Sequence, residues 1–71
     1  MLQLGDRMKV NALIPAHYFG NEILEIIEAG PGRIVFKTVQ ADMPSQVGAV
    51  EEMTPGTVTN LIRSGHLEKI D

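Results

Sequence analysis

The stretch EILEIIEAGPGRIVFKTV, residues 22–39, decides which fold class the chain can adopt. As a helix, its first part would have Asn21 as the N-cap and Gly30 as the C-terminal stop before Pro31. That helix would span only about two turns, which is marginal without strong packing. As a hairpin, the same residues form a strand joined by the turn AGPG to RIVFKTV, which is rich in β-branched and aromatic residues. A strand needs a partner, so we predict the hairpin, with a helix over residues 22–29 as the alternative.

Charged side chains lie along one rim of this predicted hairpin. They are Glu22, Glu25, Glu28, Arg33 and Lys37. Opposite charges on neighbouring strands typically contribute about 0.2–1 kcal/mol each. We interpret the rim as a solvated face that neutralises itself. The alternative is an acidic edge that binds a partner.

Further strands are predicted on both sides of the hairpin. Alternating apolar residues in MKVNA, residues 8–12, are typical of a strand with one buried face. The segment VGAVEEM, residues 47–53, can supply another strand. In HLEKI, residues 66–70, the apolar side chains of Leu67 and Ile70 predict a short strand that closes the sheet.

A short helix is predicted over residues 54–65, between the last two strands. Thr54 can cap its N-terminus, Pro55 suits its first position, and Gly65 stops it. Its apolar face consists of Val58, Leu61 and Ile62.

The resulting order is strand, loop, hairpin, strand, helix and strand, which is the order of an SH3-like barrel. We therefore predict a mainly β fold: a small SH3-like barrel of about five strands with one short C-terminal helix. We expect residues 1–71 to form a single domain. In such a barrel Leu61 and Ile62 would drop into the open end, and closure would remove exposed strand edges.

The C-terminal segment TVTNLIRSGHL also resembles the second helix of excisionase- and MerR-type helix-turn-helix domains. This resemblance implies that residues 45–52 are the first helix and that the 54–65 helix binds nucleic acid in a small transcriptional regulator. The side chains that would reach a major groove or its phosphates are Thr57, Thr59, Asn60 and Arg63. Glu51 and Glu52 depart from that pattern. In those families the position of Glu51 is usually a buried aliphatic residue, and the position of Glu52 is usually the glycine of the turn.

A second resemblance covers the two ends of the chain. MKVNALIPAHYFGNE and TPGTVTNLIRSGHLEKI resemble small phage- and prophage-encoded proteins of SH3-like type found near virion-morphogenesis genes. The matching residues are Lys9, Val10, Ala12, Leu13, Pro15, Tyr18, Gly20, Leu61, Ile62 and Gly65. They are mostly core and turn positions, so the resemblance implies a fold and a setting without implying an activity.

Composition narrows the possible functions. The chain has 71 residues, a net charge of −3 and no cysteine, so thiolate catalysis and thiolate metal sites are excluded. Its six basic residues are scattered, whereas a nucleic-acid binder normally carries a basic patch, so we expect no nucleic-acid partner. The sequence lacks a membrane-spanning apolar run and a signal-peptide pattern. We expect a cytoplasmic protein, or a virion-associated one if it is phage-encoded.

The candidate site residues point to binding rather than to catalysis. His17 and His66 lack metal-ligand spacing, and Ser45 and Ser64 lack a nucleophile motif, so we predict no enzyme, metal site, cofactor or small-molecule substrate. Adjacent aromatic residues in the loop after the first strand cannot easily both face the core, so one of them can anchor a partner. The candidate partner-binding residues are His17, Tyr18 and Phe19. The predicted partner is another protein or a second copy of the chain.

Overall fold

The computed structural model describes residues 2–11 and 22–70, and all structural statements refer to these residues. Within them the chain forms one antiparallel sheet and one α-helix. The strands are β1 (Arg7–Val10), β2 (Ile23–Ala29), β3 (Ile34–Gln40), β4 (Val50–Met53) and β5 (Leu67–Lys69), and helix α1 (Pro55–Arg63) lies between β4 and β5.

The hairpin prediction for residues 22–39 is confirmed, because β2 and β3 pair in antiparallel register with Ile26 opposite Phe36. The Gly30 N–H donates to the Arg33 carbonyl at 2.9 Å, which closes the turn. Leu24 and Ile26 point into the core, as the alternation of a strand requires. The short helix considered for residues 22–29 is therefore wrong.

The five strands lie in the order β4-β3-β2-β1-β5, and among the described residues this sheet is not closed into a barrel. The prediction of a mainly β fold of five strands with one short C-terminal helix is confirmed, whereas the predicted closure is not found. A closed barrel needs its first and last strands to pair along a tilted seam. Here β4 and β5 contribute four and three residues, and α1 spans the space between them.

Eight buried apolar side chains from four strands and the helix form the core: Met8, Val10, Leu24, Ile26, Ile34, Phe36, Val58 and Leu67. Phe36 is the largest of them and is 1% exposed, as its position in the middle of a predicted strand suggested. The partly buried side chains of Leu2, Met53, Leu61 and Ile62 pack around this cluster.

Residues 44–53 do not form the first helix of a helix-turn-helix. Pro44–Gln46 make a single 3-10 turn, and Val50–Met53 are extended and pair with β3. The strand begins three residues later than predicted, because Gly48 has a φ of +95° and the backbone of 48–49 bends as it joins Thr38. The interpretation of residues 45–52 as a helix is wrong for the described structure.

Helix α1 follows the predicted capping scheme. The Thr57 N–H donates to Thr54 Oγ1 at 3.2 Å, and Pro55 occupies the first turn. Val58 is fully buried and fixes the helix to the sheet. Gly65, at φ +87°, ends the helix in the left-handed region, where a glycine is least strained.

The final strand differs from the prediction at one residue. Leu67 is 1% exposed and pairs with Val10, as expected of an apolar residue in a short final strand. Ile70 lies beyond the end of β5 and is 41% exposed. Its N–H still donates to the Arg7 carbonyl at 3.0 Å, so its backbone continues the ladder while its side chain faces solvent.

Candidate functional site

The described residues form an open groove of about 760 Å³ between the β2–β3 turn and helix α1. It is lined by Leu2, Ala29, Gly30, Pro31, Ile34, Pro55, Thr59, Ile62 and Lys69. Most of these side chains are apolar, and Ile34 is 4% exposed, so it belongs to the core as well as to the groove. We call this concavity the hairpin–helix groove.

Two rigid features hold the walls of the groove apart. The β2–β3 turn contains Pro31, whose ring fixes φ, and it is closed by the hydrogen bond from Gly30. The opposite wall is α1, which is capped by Thr54 and docked through Val58. The side chain of Ile62 projects from α1 toward this space and is only partly buried. The groove therefore presents a preformed apolar surface rather than a collapsed one.

Among the described residues of the lining, Lys69 is the one cation. Its Nζ is 3.7 Å from Asp6 Oδ2, and its side chain is 46% exposed. Asp6 is itself held in place, because Oδ2 accepts a hydrogen bond from the Gln3 N–H at 2.8 Å. The N-terminal segment is thus linked to the lining of the groove through an ion pair whose lysine is half-exposed, and such a pair contributes little to stability.

Sequence analysis did not identify this groove. Its lining comes from four separate stretches of the chain, near residues 2, 29–34, 55–62 and 69. The sequence signals that were available, the turn AGPG and the apolar face of the helix, predicted elements rather than their juxtaposition. Packing of α1 across the end of the sheet brings them together.

A second feature is the outer edge of β4, next to which no other described strand lies. Val50 at the start of the strand is 58% exposed, and Met43 and Val47 in the preceding segment are 47% and 50% exposed. Glu52 extends from the same face as Val50, and its side chain is 55% exposed. We call residues 43–53 the β4 edge.

The outward face of the sheet carries a network of ion pairs. Arg33 lies 2.7 Å from Glu28 Oε2 and 3.2 Å from Glu52 Oε2, so one guanidinium links β2 to β4. The hydrogen bond and charge of Glu28, together with Glu52, raise the pKa of Arg33 above its ordinary value. Arg7 Nε lies 3.2 Å from Glu25 Oε1 on the same face. This part of the predicted self-neutralising rim is confirmed.

Glu22 does not belong to that rim, because it is 1% exposed. A strand alternates its faces with a period of two, so residues 22, 24 and 26 share the core side. Glu25 lies on the other side. A register shift between Ile26 and Glu28 then returns Glu28 to the exposed face. Three glutamates at a spacing of three cannot all share one face of a regular strand.

The four residues that the helix-turn-helix resemblance singled out, Thr57, Thr59, Asn60 and Arg63, are all exposed on α1. Thr57 takes part in the helix cap, where its Oγ1 is 2.8 Å from Thr54 Oγ1. Thr59 lines the hairpin–helix groove instead of standing free. A strand, not a helix, precedes α1, so these residues lack the scaffold that would place them in a major groove.

The predicted partner-binding residues His17, Tyr18 and Phe19 lie outside the described residues. Of the two histidines, only His66 is described. Its Nδ1 is 2.6 Å from Ser64 Oγ, and that hydroxyl is also 3.1 Å from the Leu61 carbonyl. Both contacts are local and exposed, and they finish the C-terminal turn of α1.

Residues 2–11 and 22–70 contain no group of three or more potential ligands arranged to hold a metal ion. Within the same residues, no helix has both the length and the apolar character needed to cross a membrane. No protein-family model matches the chain, and no curated protein or solved structure matches it either.

Proposed function

We propose that this chain is a non-catalytic protein–protein binding or assembly module. The hairpin–helix groove is the single observation that carries this proposal. It offers a preformed concavity of about 760 Å³, and the described residues that line it are mostly apolar, with Lys69 as their one cation. Interfaces are commonly anchored by a few apolar side chains that fill such concavities, surrounded by a polar border.

The shape of the groove favours a protein partner over a small molecule. Its volume falls within the range of ligand pockets, but such pockets enclose most of the ligand surface and place several polar groups around it. Here one wall is an exposed turn and the other is a single face of α1. Among the described residues that line it, only Thr59 and Lys69 have polar side chains. Side chains projecting from a larger surface match this geometry.

The SH3-like architecture and the phage or prophage setting remain part of the proposal. The strand order β4-β3-β2-β1-β5, with a helix just before the last strand, supports an SH3-like arrangement that stays open at the β4–β5 seam. The setting rests on the resemblance around Lys9–Gly20 and Leu61–Gly65. If the gene is phage-encoded, the protein functions in the host cytoplasm or on the virion.

Site-specific photo-crosslinking tests the proposal. A photoreactive amino acid replaces Thr59, which is exposed and lines the groove. The matched control replaces Lys9, which is exposed on the outward face of β1. We expect the Thr59 position to give one discrete adduct in an extract of the source cells, and the Lys9 position to give none.

Competition makes the result specific to the groove. Excess wild-type protein should abolish the adduct, whereas excess Thr59→Arg protein should not, because a long charged side chain would fill the groove. Equal adducts from both positions, or competition by both proteins, would contradict the proposal. Adducts with only the chain itself would identify the partner as a second copy.

A salt titration against random duplex DNA separates this function from that of a nucleic-acid-binding regulator. The chain carries a net charge of −3, and its six basic residues, Arg63 among them, are scattered along the sequence. We therefore expect no detectable DNA binding even at low ionic strength. Binding that weakens steeply with added salt would instead support the regulator.

A further inference from the structure

The backbone of β4 is arranged to accept another strand. The Thr38 N–H donates to the Ala49 carbonyl at 2.9 Å, and the Gly48 N–H donates to the Thr38 carbonyl at 2.8 Å. The N–H and C=O groups of successive residues point to opposite sides of a strand. Phe36 and Ile34, two and four residues before Thr38, therefore also direct these groups toward β4. The N–H and C=O groups of Val50 and Glu52 must then point away from β3. No other described strand pairs with these groups of Val50 and Glu52, so both residues present donors and acceptors at the spacing of a strand.

The side chains of β4 alternate in a defined way. Glu51 lies opposite Phe36 and therefore on the core side, whereas Val50 and Glu52 lie on the outward side. Apolar residues flank the two glutamates, Val50 before them and Met53 after them. An incoming antiparallel strand would meet, in order, an apolar, an acidic, an acidic and an apolar neighbour.

A second copy of the chain is a poor occupant for this edge. In an antiparallel pair, residues directly opposite each other lie on the same face, so a residue of β4 can face only its own copy or a residue two positions away in the second copy. The two registers that keep three residues of each β4 paired place Glu51 or Glu52 against its own copy. Like charges directly opposite each other destabilise a strand pair. Self-association through β4 is therefore disfavoured.

Charge complementarity identifies the occupant instead. Basic side chains opposite Glu52 and Glu51 would lie beside acidic neighbours, and the larger gain is at Glu52, which is the more exposed of the two. Glu52 forms an ion pair with Arg33 at 3.2 Å. If Glu52 turned to a partner instead, Arg33 would still keep its shorter ion pair with Glu28, at 2.7 Å. Lys37 lies opposite Val50, so a further basic residue at that position would be repelled and an apolar one is favoured.

We propose that β4 binds an extended segment of another protein by strand addition, in antiparallel register, and that this segment has the pattern apolar–basic–basic–apolar. The inference rests on the proposed function as a protein-binding module and gives that module a second contact surface, distinct from the hairpin–helix groove. Main-chain hydrogen bonds would supply the attachment, and the paired glutamates would supply the selectivity.

Peptide titration of the isotope-labelled full chain, followed by NMR, tests the inference. The probes are two capped hexapeptides, TVKKVT and TVEEVT, which differ only in charge. We expect TVKKVT to shift the amide signals of Val50 and Glu52 and to bind at least tenfold more tightly than TVEEVT. Raising the NaCl concentration from about 20 mM to about 500 mM should weaken TVKKVT binding, because the contacts are exposed to screening.

Matched variants locate the site. Glu52→Gln should lower the affinity for TVKKVT about threefold or more, whereas Glu68→Gln, on the opposite edge strand, should leave it unchanged. Val50→Pro removes an outward-pointing N–H that β3 does not use, so it should abolish peptide binding while the rest of the spectrum is kept. If Val50→Pro unfolds the chain, the comparison of Glu52→Gln with Glu68→Gln still decides.

Three results would overturn the inference: equal binding of the two peptides, no binding of TVKKVT at millimolar concentration, or shifts centred on Thr59 and Ile62. These three results would not affect the photo-crosslinking experiment, which tests the groove and not β4. A groove adduct without peptide binding would therefore leave the proposed function standing and remove only the strand-addition site. Peptide binding without a groove adduct would support the strand-addition site and remove the groove as a contact surface.

Discussion

Replacing Val58 by alanine tests whether α1 is held on the sheet by a single buried side chain. Val58 is 0% exposed and is the only buried residue of the helix. Removing its two methyl groups loses about 1.6 kcal/mol of transfer free energy, at about 0.8 kcal/mol per buried carbon. The cavity left behind adds up to about 1 kcal/mol. Alanine regains about 0.5 kcal/mol of helix propensity.

The net loss expected for Val58→Ala is about 1–2 kcal/mol in the free energy of unfolding. A domain of 71 residues has about 4–10 kcal/mol of stability in total, so the variant should remain folded with a clearly lower urea midpoint. The same loss corresponds to a fall of about 4–16 °C in Tm for a domain of this size. Urea unfolding followed by far-UV circular dichroism measures it.

Thr59→Ala is the matched control, because Thr59 lies on the same helix and is exposed. It gains helix propensity without losing buried surface, so its free energy of unfolding should stay within about 0.5 kcal/mol of the wild type. If Val58→Ala proves as stable as Thr59→Ala, α1 is not docked through Val58. The hairpin–helix groove would then lack a fixed wall.

The other predictions concern the caps and the ion pairs. Thr54→Ala should lower the free energy of unfolding by about 1 kcal/mol in urea titration, and Thr54→Asp should restore most of it, because either side-chain oxygen can accept the N-terminal hydrogen bond. Gly65→Ala should lower the free energy of unfolding by about 1–2 kcal/mol in the same assay, because the φ of Gly65 is +87°. Gly32 does not have a positive φ, so Gly32→Ala should be near neutral. Equal effects of the two substitutions would refute the argument that α1 ends at a residue that must be left-handed. Arg33→Gln should lower the urea midpoint at low salt, and this difference should shrink as NaCl is added; a salt-independent difference would contradict an electrostatic link between β2 and β4.

Local signals in the sequence were strong enough to predict the elements. The β-branched residues of 33–39 and the breakers before them determine the hairpin, and Thr54, Pro55 and Gly65 delimit the helix. These features act over a few residues, so a single chain reveals them. The same reasoning placed Phe36 in the core.

Closure of the sheet and the position of the groove depend on long-range geometry that such signals do not contain. Closure needs β4 and β5 to meet with matched tilt and length, and β5 has only three residues. The register shift in β2, which separates Glu22 from Glu28, likewise arises from pairing with β3 rather than from local preference. That shift brings Glu28 to the face of Glu25, whereas the error over Glu22 follows from strand alternation, which the spacing of the glutamates already contains.

An open sheet in a small domain raises the question of what prevents association edge to edge. Soluble β proteins protect their edges with short strands and with charged side chains. Both devices are present here: β5 is three residues long, and β4 carries Glu51 and Glu52, which repel a second copy in its best registers. Repulsion of this kind acts only on acidic or identical strands. The feature that discourages self-pairing is therefore the one that would admit a basic strand, and protection and selectivity at β4 have the same physical origin.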